Sequence, residues 1–503
     1  MYKLSYLITF RQSGEGRLQN LLYVLRHLSA DNSIQIVLVE QDEQRRLPEI
    51  DLINQCDYVF VRNHYSFNKS WGLNIAAQYA KSDHLLIADA DMVIPHGTIL
   101  KIIDEFNHGS DAINPYLELV DLSQAHTIAV LSGNKSLQET HYQMDVNRES
   151  IGHNLPFCGG IFAISAKLFT GIGGMDERFS GWGGEDNAVT LKVQWYAKKM
   201  VTLESETAYH LWHQKSHMDS NDSKGYVRNL ALLSMYYEHS NSLMPEIAKA
   251  DEFRNGDQDK YVLKHGFQVD DETLSDNNVE PLISCVCVTR NRVGLLKESI
   301  DYFFKQSYLN KELLIVCEED DSATVDYLLR LNNSQIRPVV LPAKPKRSLG
   351  ELRNISIAEA KGEYICQWDD DDWYHPRRLE IQLQISQKHN KAATVLPRWL
   401  LYIPANREAY CSNARLWEGS LLCKKSLFND IQYPNMARGE DSEVIRQLFI
   451  RDELAIEDHP DLYVYHSRGS NTWNEEHFQT ILKSSTKLEP DDLVKLENML
   501  GLH

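Results

Sequence analysis

The chain of 503 residues is poor in several features, and each shortage excludes something. Its eight cysteines (56, 158, 285, 287, 317, 366, 411 and 423) never stand in a Cys-x-x-Cys spacing. A zinc site or a disulfide framework is therefore not expected, and Cys285 and Cys287, alternating within Ile283-Ser-Cys-Val-Cys-Val288, read as buried free thiols of a reducing compartment. No run of apolar residues approaches the length needed to cross a bilayer, so no membrane span is encoded. The opening residues, Met1 to Arg11, lack a cleavage pattern of small residues and read as a first β-strand, not a signal peptide. Positive charge is short as well: 52 Lys and Arg stand against 71 Asp and Glu, for a net −19. Such a balance repels polyanions and argues against a nucleic-acid partner or a basic membrane-surface protein. It leaves room for a local basic pocket that holds a small anion.

What is present is a pattern stated twice. Tyr6-Leu-Ile-Thr-Phe10 ends in Arg11, and Ile283-Ser-Cys-Val-Cys-Val-Thr289 ends in Arg290-Asn-Arg292. Each apolar run precedes a helical pattern: Leu18, Leu21, Leu22, Leu25 and Leu28 in one case, Leu295, Leu296, Ile300, Phe303 and Phe304 in the other. Each helix leads to a second apolar run that ends in acids, at Glu40-Gln-Asp42 and at Glu318-Glu-Asp-Asp321. Strand, helix and strand at this spacing predict a βαβ unit, hence a parallel sheet with ligands at the strand C-termini. Further on, both halves present an acid cluster after a strand, at Asp89-Ala-Asp91 and at Asp369-Asp-Asp-Asp372. Both then present Gly-Glu-Asp (184–186 and 439–441) and Tyr-His (209–210 and 465–466). Arg11 to Asp91 spans 80 positions and Arg290 to Asp371 spans 81; Asp186 to His210 spans 24 and Asp441 to His466 spans 25. Only the middle interval differs, 95 against 70, which predicts a longer loop or insertion in the first half. Shared order and spacing of four polar landmarks predict a duplicated fold.

The polar landmarks carry chemistry. Acids two apart at a strand end repel one another unless a cation or donors compensate. A hard dication such as Mg²⁺ or Mn²⁺ does so and also bridges to phosphate oxygens, which makes Asp91 and Asp371 candidate ligands. A polar turn closing a strand is the bland alternative, and its repetition at the same place in both halves disfavours it. In Gly181-Trp-Gly-Gly-Glu185-Asp186, glycines allow close backbone approach, Trp182 can stack on a sugar ring, and a carboxylate can take a proton from an attacking hydroxyl. Ala437-Arg-Gly-Glu440-Asp441 is a thinner version, and an acidic helix start explains either one equally simply. His210, His213 and His466 can complete metal sites as neutral imidazoles, and the sequence does not choose between the first two. Arg11, Arg290, Arg292 and Arg353 stand where a phosphate would lie, and arginine's planar fork suits a diphosphate. Glu40, Asp42 and Glu318 to Asp321 can bond a base or ribose, with helix capping as the competing account. Together these residues equip each half to displace a nucleoside diphosphate from an anomeric carbon. A metal would stabilise the leaving group while a carboxylate deprotonates the acceptor attacking from the opposite face, which inverts the centre.

Both halves resemble family 2-type glycosyltransferases of the GT-A fold. The first half is also similar to the β-1,4-galactosyltransferase and chondroitin polymerase group, through Thr9-Phe10-Arg11, Phe67-Asn68-Lys69, Asp89-Ala-Asp91, Phe157-Cys-Gly-Gly160, Gly173-Gly-Met-Asp-Glu-Arg-Phe179 and Gly181-Trp-Gly-Gly-Glu-Asp186. Gln12 stands where that group has an Asn. The second half resembles family 2 in general, through Thr289-Arg-Asn-Arg292, Gly350-Glu-Leu-Arg-Asn354, Gly362-Glu-Tyr-Ile365 and Trp368-Asp-Asp-Asp-Asp-Trp373, although Glu318-Glu-Asp-Asp321 replaces the usual Asp-Asp-Gly-Ser. The resemblance implies an α/β chain of two Rossmann-like GT-A domains with mostly parallel sheets. It implies a base at Asp186 and Asp441, with Glu185 and Glu440 as the adjacent alternatives. It implies nucleotide-sugar contacts from Phe10, Arg11, Glu40, Asn68, Lys69, Asp89 and Trp182 in one half. In the other they come from Thr289, Arg290, Arg292, Glu318, Arg353, Asp369 and Asp370. The metal, Mn²⁺ or Mg²⁺, falls to Asp91, His210, His213, Asp371 and His466.

The expected layout is a first domain over 1–243, a partly helical linker over 244–280 with the acidic run Asp270 to Asn278, a second domain over 281–487, and a C-terminal helix over 488–503. The expected activity is a bifunctional inverting transferase that moves sugars from nucleotide-diphosphate donors, UDP-sugars foremost, to a growing glycan of a capsule or lipopolysaccharide. The acceptor would be a glycan or lipid-linked glycan, and the location cytoplasmic, with peripheral docking at the inner face of the membrane left open. Two alternatives remain: one catalytic domain beside a degenerate glycan-binding one, and a nucleotidyltransferase, in which the Gly-Trp-Gly-Gly-Glu-Asp block has no obvious role.

Overall fold

The computed structural model describes the chain except residues 1, 141–145, 148–155, 159, 215–222, 251–255, 262–279, 332, 468–474 and 503. The chain divides into two compact units, residues 1–269 and 270–503. The segment expected as a linker is in part a piece of the first unit. Helix Ser240–Lys249 runs into its first residues, and Gly256 and Lys260 bond Glu177 while Asp257 accepts from the Trp71 indole at 2.7 Å. The acidic run 270–278 lies outside the described residues.

In the first unit a seven-stranded sheet runs, in spatial order, Met200–Thr202, Ala112–Asn114, Ile161–Ser165, His84–Ala88, Leu4–Phe10, Ile34–Asp42 and Asp57–Arg62. Only Ile161–Ser165 is antiparallel to its neighbours. The second unit repeats this order strand for strand: Leu454–Ile456, Ala393–Leu396, Trp417–Lys424, Tyr364–Gln367, Ile283–Val288, Lys311–Glu318 and Ile336–Leu341. Here Trp417–Lys424 is the antiparallel member. The central strands are buried on both faces, which is why they read as unbroken apolar runs without alternation. Leu7, Ile8, Leu38, Ile283, Leu313 and Ile315 are fully buried, each contributing about 1.5–3 kcal/mol relative to an exposed side chain.

A smaller sheet beside each large one carries the polar landmarks. In the first unit it is Met92–Val93, Thr207–His210, Glu118–Asp121 and Val146–Asn147. In the second it is Trp373–Tyr374, Tyr463–His466, Leu400–Ile403, Glu408–Cys411 and Thr486–Lys487. The unequal middle interval is visible here. The first unit places helices Gln124–Leu131 and Leu137–Thr140 between Asp121 and Ile161, whereas the second uses the hairpin Leu400–Ile403/Glu408–Cys411. The chain ends in helix Pro490–Leu500.

Candidate active sites

In both units the decisive helix starts on a left-handed glycine. Gly184 has φ 93° before helix Glu185–Tyr196, and Gly439 has φ 68° before helix Glu440–Ile450. That conformation is cheap only for glycine and turns the chain so that two acids fall in the first helical turn, where the helix dipole favours negative charge.

In the first unit the strand stops at Ala88, and Asp89 and Asp91 lie just beyond it. They have different neighbours. Asp89 meets Lys69, from the first position of helix Lys69–Gln78, at 2.8 Å. The Lys69 ammonium also meets both oxygens of Asp186, at 2.8 and 3.1 Å, and so ties the acid strand to the glycine-started helix. Burial opposes its charge, but Asp186, Asp89 and Glu185 hold it protonated well above an ordinary lysine. Gly160 is the necessary neighbour of Asp89, since a Cβ there would lie 2.2 Å from the Asp89 carboxylate.

Asp91 faces the histidines. His213 Nε2 lies 3.4 Å from Asp91 Oδ2 and His210 Nε2 3.7 Å from Asp91 Oδ1. One ligand atom from each of the three residues falls within 4.8 Å of the others. Pairing of His210 with Met92 in the small sheet brings this about. Both histidines, between which the sequence does not choose, stand beside Asp91. Burial keeps His213 below the usual histidine value, hence neutral and able to ligate. His210 Nδ1 bonds Asp121 at 2.8 Å, from the register partner in strand Glu118–Asp121. A carboxylate behind an imidazole fixes its tautomer and strengthens it as a ligand. Asp121 was missed in the sequence, although Leu119-Val120-Asp121 is one more apolar run ending in an acid. Arg17 is a second omission, 4.0 Å from Asp91. The mixed imidazole–carboxylate set suits Mn²⁺ better than Mg²⁺, which prefers oxygen alone.

Other predicted donor contacts in this unit are spent on the scaffold. Arg11 donates to the carbonyls of Gln41, Tyr65 and Asn63, and burial lowers its pKa. Glu40 accepts from the amides of Arg46 and Leu47 and from Tyr58. Asn68 caps its helix through the Trp71 amide and donates to Glu177 and Tyr261. Phe10 is buried in the core. Trp182, 43% exposed, stacks on Tyr226 with ring centroids 4.9 Å apart.

The second unit holds its acids differently. Arg353, from helix Leu349–Glu359, replaces Lys69: its Nε meets Glu440 at 2.7 Å and its NH2 lies 3.5 Å from Asp369. The arginine thus binds the first helical acid, whereas Lys69 binds the second. Arg292 meets Asp371 at 2.9 Å and Asp370 at 3.4 Å, and the Thr289 hydroxyl donates to Asp370. Arg290 pairs with Glu318 and with Asp320, so this predicted pair binds itself. His466 occupies the counterpart of His210, but its register partner is Tyr402, and its amide donates to Asp372. Three residues after His466 stands Gly469, where the first half has His213. Among the described residues, Asp371 and His466 do not belong to a group of three possible metal ligands.

A cavity of about 340 Å³ opens over these acids. It is lined by Arg292, Arg353, Asp369 to Asp372, Glu440 and Asp441, and walled by Trp399, Trp417, Tyr463 and Tyr465. Trp399 stacks on Trp417 at 4.2 Å and on Tyr463 at 4.9 Å. Burial, then the nearby Glu418, raises Asp441 to about 7. Glu418, Trp399 and Trp417 escaped sequence reasoning because no spacing connects them to the acids.

Comparison with known proteins bears on both units. A hyaluronan synthase of Pasteurella multocida is 24% identical over 241 residues, 48% of this chain and 22% of its own length. A chondroitin synthase of Pasteurella multocida (strain Pm70) is 24% identical over 242 residues, 47% and 22% respectively. A chondroitin synthase of Escherichia coli is 23% identical over 244 residues, 48% and 31%. The chain thus spans under a third of these relatives. Among solved structures, S. aureus TarS 1–349 in complex with UDP-GlcNAc is 17% identical with TM-score 0.30, covering 44% of this chain and 65% of that one. Residues 144–214 match the N-terminal domain of galactosyltransferase. Residues 7–167 and 284–435 each match glycosyl transferase family 2, one stretch in each unit and together more than half of the chain, so the protein belongs to that family.

Proposed function

We propose that the protein is a two-site inverting glycosyltransferase that moves sugars from UDP-sugars to a growing surface glycan, one transfer per unit. The observation that carries this reading is the repetition of one arrangement. In each unit an acid strand, a bridging cation and a glycine-started helix with two acids meet at the C-terminal edge of the parallel sheet. Edges of this kind are where open α/β sheets bind ligands.

In the first unit Asp91, His210 and His213 would hold Mn²⁺, which when bound neutralises a leaving diphosphate. Lys69 fixes Asp89 and Asp186 relative to each other, and the 185–186 acid pair takes the acceptor proton. Trp182 offers an apolar face to an acceptor ring. In the second unit Arg292 and Arg353 stand beside the acid loop as protein-borne positive charge. Asp441, near 7, is poised to accept a proton at neutral pH. The aromatic wall of Trp399 and Trp417 gives the cavity a surface for sugar C–H faces. A growing polysaccharide is the acceptor class favoured by the hyaluronan and chondroitin synthase relatives.

The test is product analysis with the full chain, Mn²⁺ and pairs of UDP-sugars. Asp91→Ala and Asp441→Asn should each remove a different sugar transfer. Retention of both transfers in the double variant refutes the reading. Release of pyrophosphate in place of UDP would instead identify a nucleotidyltransferase.

A further inference from the structure

Residues 256–261 lie outside the stretches that match glycosyl transferase family 2 and the galactosyltransferase domain. They run along helix Lys69–Gln78, whose first residue ties Asp89 to Asp186. At the start of that helix the Asn68 side-chain amide donates to the Tyr261 hydroxyl at 2.9 Å. The Trp71 indole donates to the Asp257 carbonyl, and its ring meets that of Tyr261 edge-on, with centroids 4.8 Å apart. Gly256 lies so close that a Cβ there would stand 2.9 Å from backbone atoms of Asn74 and Ile75. The Gln78 side chain donates to the Gly256 carbonyl at 3.4 Å. Positions 68, 71, 75 and 78 recur every three or four residues and share one helix face. The segment is a strap laid along that face.

A second set of bonds secures the strap. The Glu177 carboxylate, 4% exposed, accepts from the Gly256 amide at 2.9 Å, the Lys260 ammonium at 2.7 Å and the Asn74 side chain at 2.9 Å. A buried carboxylate is tolerated only with such partners. The Glu177 carbonyl accepts from Asn68 at 2.7 Å. Asn68 is thus held between Glu177 and Tyr261 while its own oxygen caps the helix at the Trp71 amide.

We propose that Tyr261 is a positioning residue of the first active site: by holding Asn68 and Trp71 it fixes the start of the helix, and with it the place of Lys69 between Asp89 and Asp186. This rests on the glycosyl-transfer reading above, in which Lys69 sets those acids relative to each other. The geometry is demanding. Lys69 meets each carboxylate at 2.8 Å, and such a bond is lost beyond about 3.5 Å, so a shift of the helix start by under about 1 Å suffices to break one contact. A displacement of that size is also enough to cost an active site much of its rate.

The experiment uses the full chain with Asp441→Asn in every arm, so that turnover belongs to the first unit. UDP release from UDP-GlcNAc, UDP-galactose and UDP-glucuronic acid is followed with Mn²⁺ and water as acceptor. In parallel, acylation of Lys69 by N-hydroxysuccinimide acetate is read by peptide mass spectrometry. Lys192, 1% exposed and bonded to the Gly174 carbonyl in the same unit, is the internal reference. Tyr261→Phe removes the bond to Asn68 and keeps the ring on Trp71. It should lower kcat about 3–30-fold with donor KM within about twofold and Tm within about 2 °C. It should also raise Lys69 acylation relative to Lys192 by at least about fivefold. Tyr261→Leu, which loses the ring as well, should enlarge both changes. Lys69 labelling unchanged in both variants, a rise matched by Lys192, or an effect confined to donor KM overturns the proposal. The labelling needs no turnover. A parent arm that releases no UDP would therefore refute the transfer reading, while the labelling ratio still decides whether Tyr261 places Lys69.

Discussion

The two units share one sheet order and one placement of acids, yet they balance negative charge by different means. The first surrounds Asp91 with two imidazoles, one of them backed by Asp121. The second surrounds Asp370 and Asp371 with Arg292 and Thr289, and replaces the carboxylate partner of its histidine by Tyr402. Lys69 and Arg353 do the same bridging with different reach, so a different helical acid is left over in each. A duplicated scaffold fixes where the acids stand, and single side chains then decide whether imidazoles or an arginine face them.

The comparison is broken or sharpened by substitution, beginning with the largest effect. Asp91→Ala should lower first-unit transfer on the order of 10³-fold, since several kcal/mol of charge stabilisation depends on the metal, and should abolish tight Mn²⁺ binding in a calorimetric titration. Asp371→Ala should leave that binding intact; equal loss in both variants would erase the distinction between the units. Asp441→Asn should lower second-unit transfer about 10²–10⁴-fold. With Asp441 near 7, the carboxyl is protonated and unable to accept a proton below that pH, so the unmodified second-unit rate should fall about tenfold per pH unit on the acid side. A rate flat down to pH 5 would contradict this assignment. Asp121→Asn should weaken Mn²⁺ affinity about 10–100-fold while circular dichroism stays unchanged. Trp182→Ala, on an exposed stacked ring, should raise acceptor KM by about 2–10-fold and leave Tm in place, as a sugar–aromatic contact of about 0.5–1.5 kcal/mol predicts.

Much of the scaffold was legible before any coordinates. The apolar runs at 4–10, 34–42, 283–288 and 311–318 became adjacent parallel strands because period and burial are written in the residues. The unequal interval between the acid strand and Gly-Glu-Asp announced the added helices of the first unit. The positions of Asp91, His210, Asp186 and Asp441 followed from repetition, and His213 stood out only by its place three residues after His210. What spacing could not carry is the use of each donor and acceptor. Arg11, Glu40 and Asn68 stand where a nucleotide would lie, yet their hydrogen bonds close loops, because a strand end leaves backbone groups that must be satisfied. Glu418 and the Trp399–Trp417 stack reach their cavity through strand pairing across many residues, which no local pattern encodes. The difference at the second histidine was nonetheless readable, since Gly469 stands where His213 has its counterpart.

The most direct test is diffraction at the manganese absorption edge from crystals of the full chain grown with Mn²⁺ and UDP. The account predicts an anomalous peak bonded to Asp91, His210 and His213 and to the diphosphate of a nucleotide in the first unit. A nucleotide-bound manganese that none of these three side chains touches would contradict it.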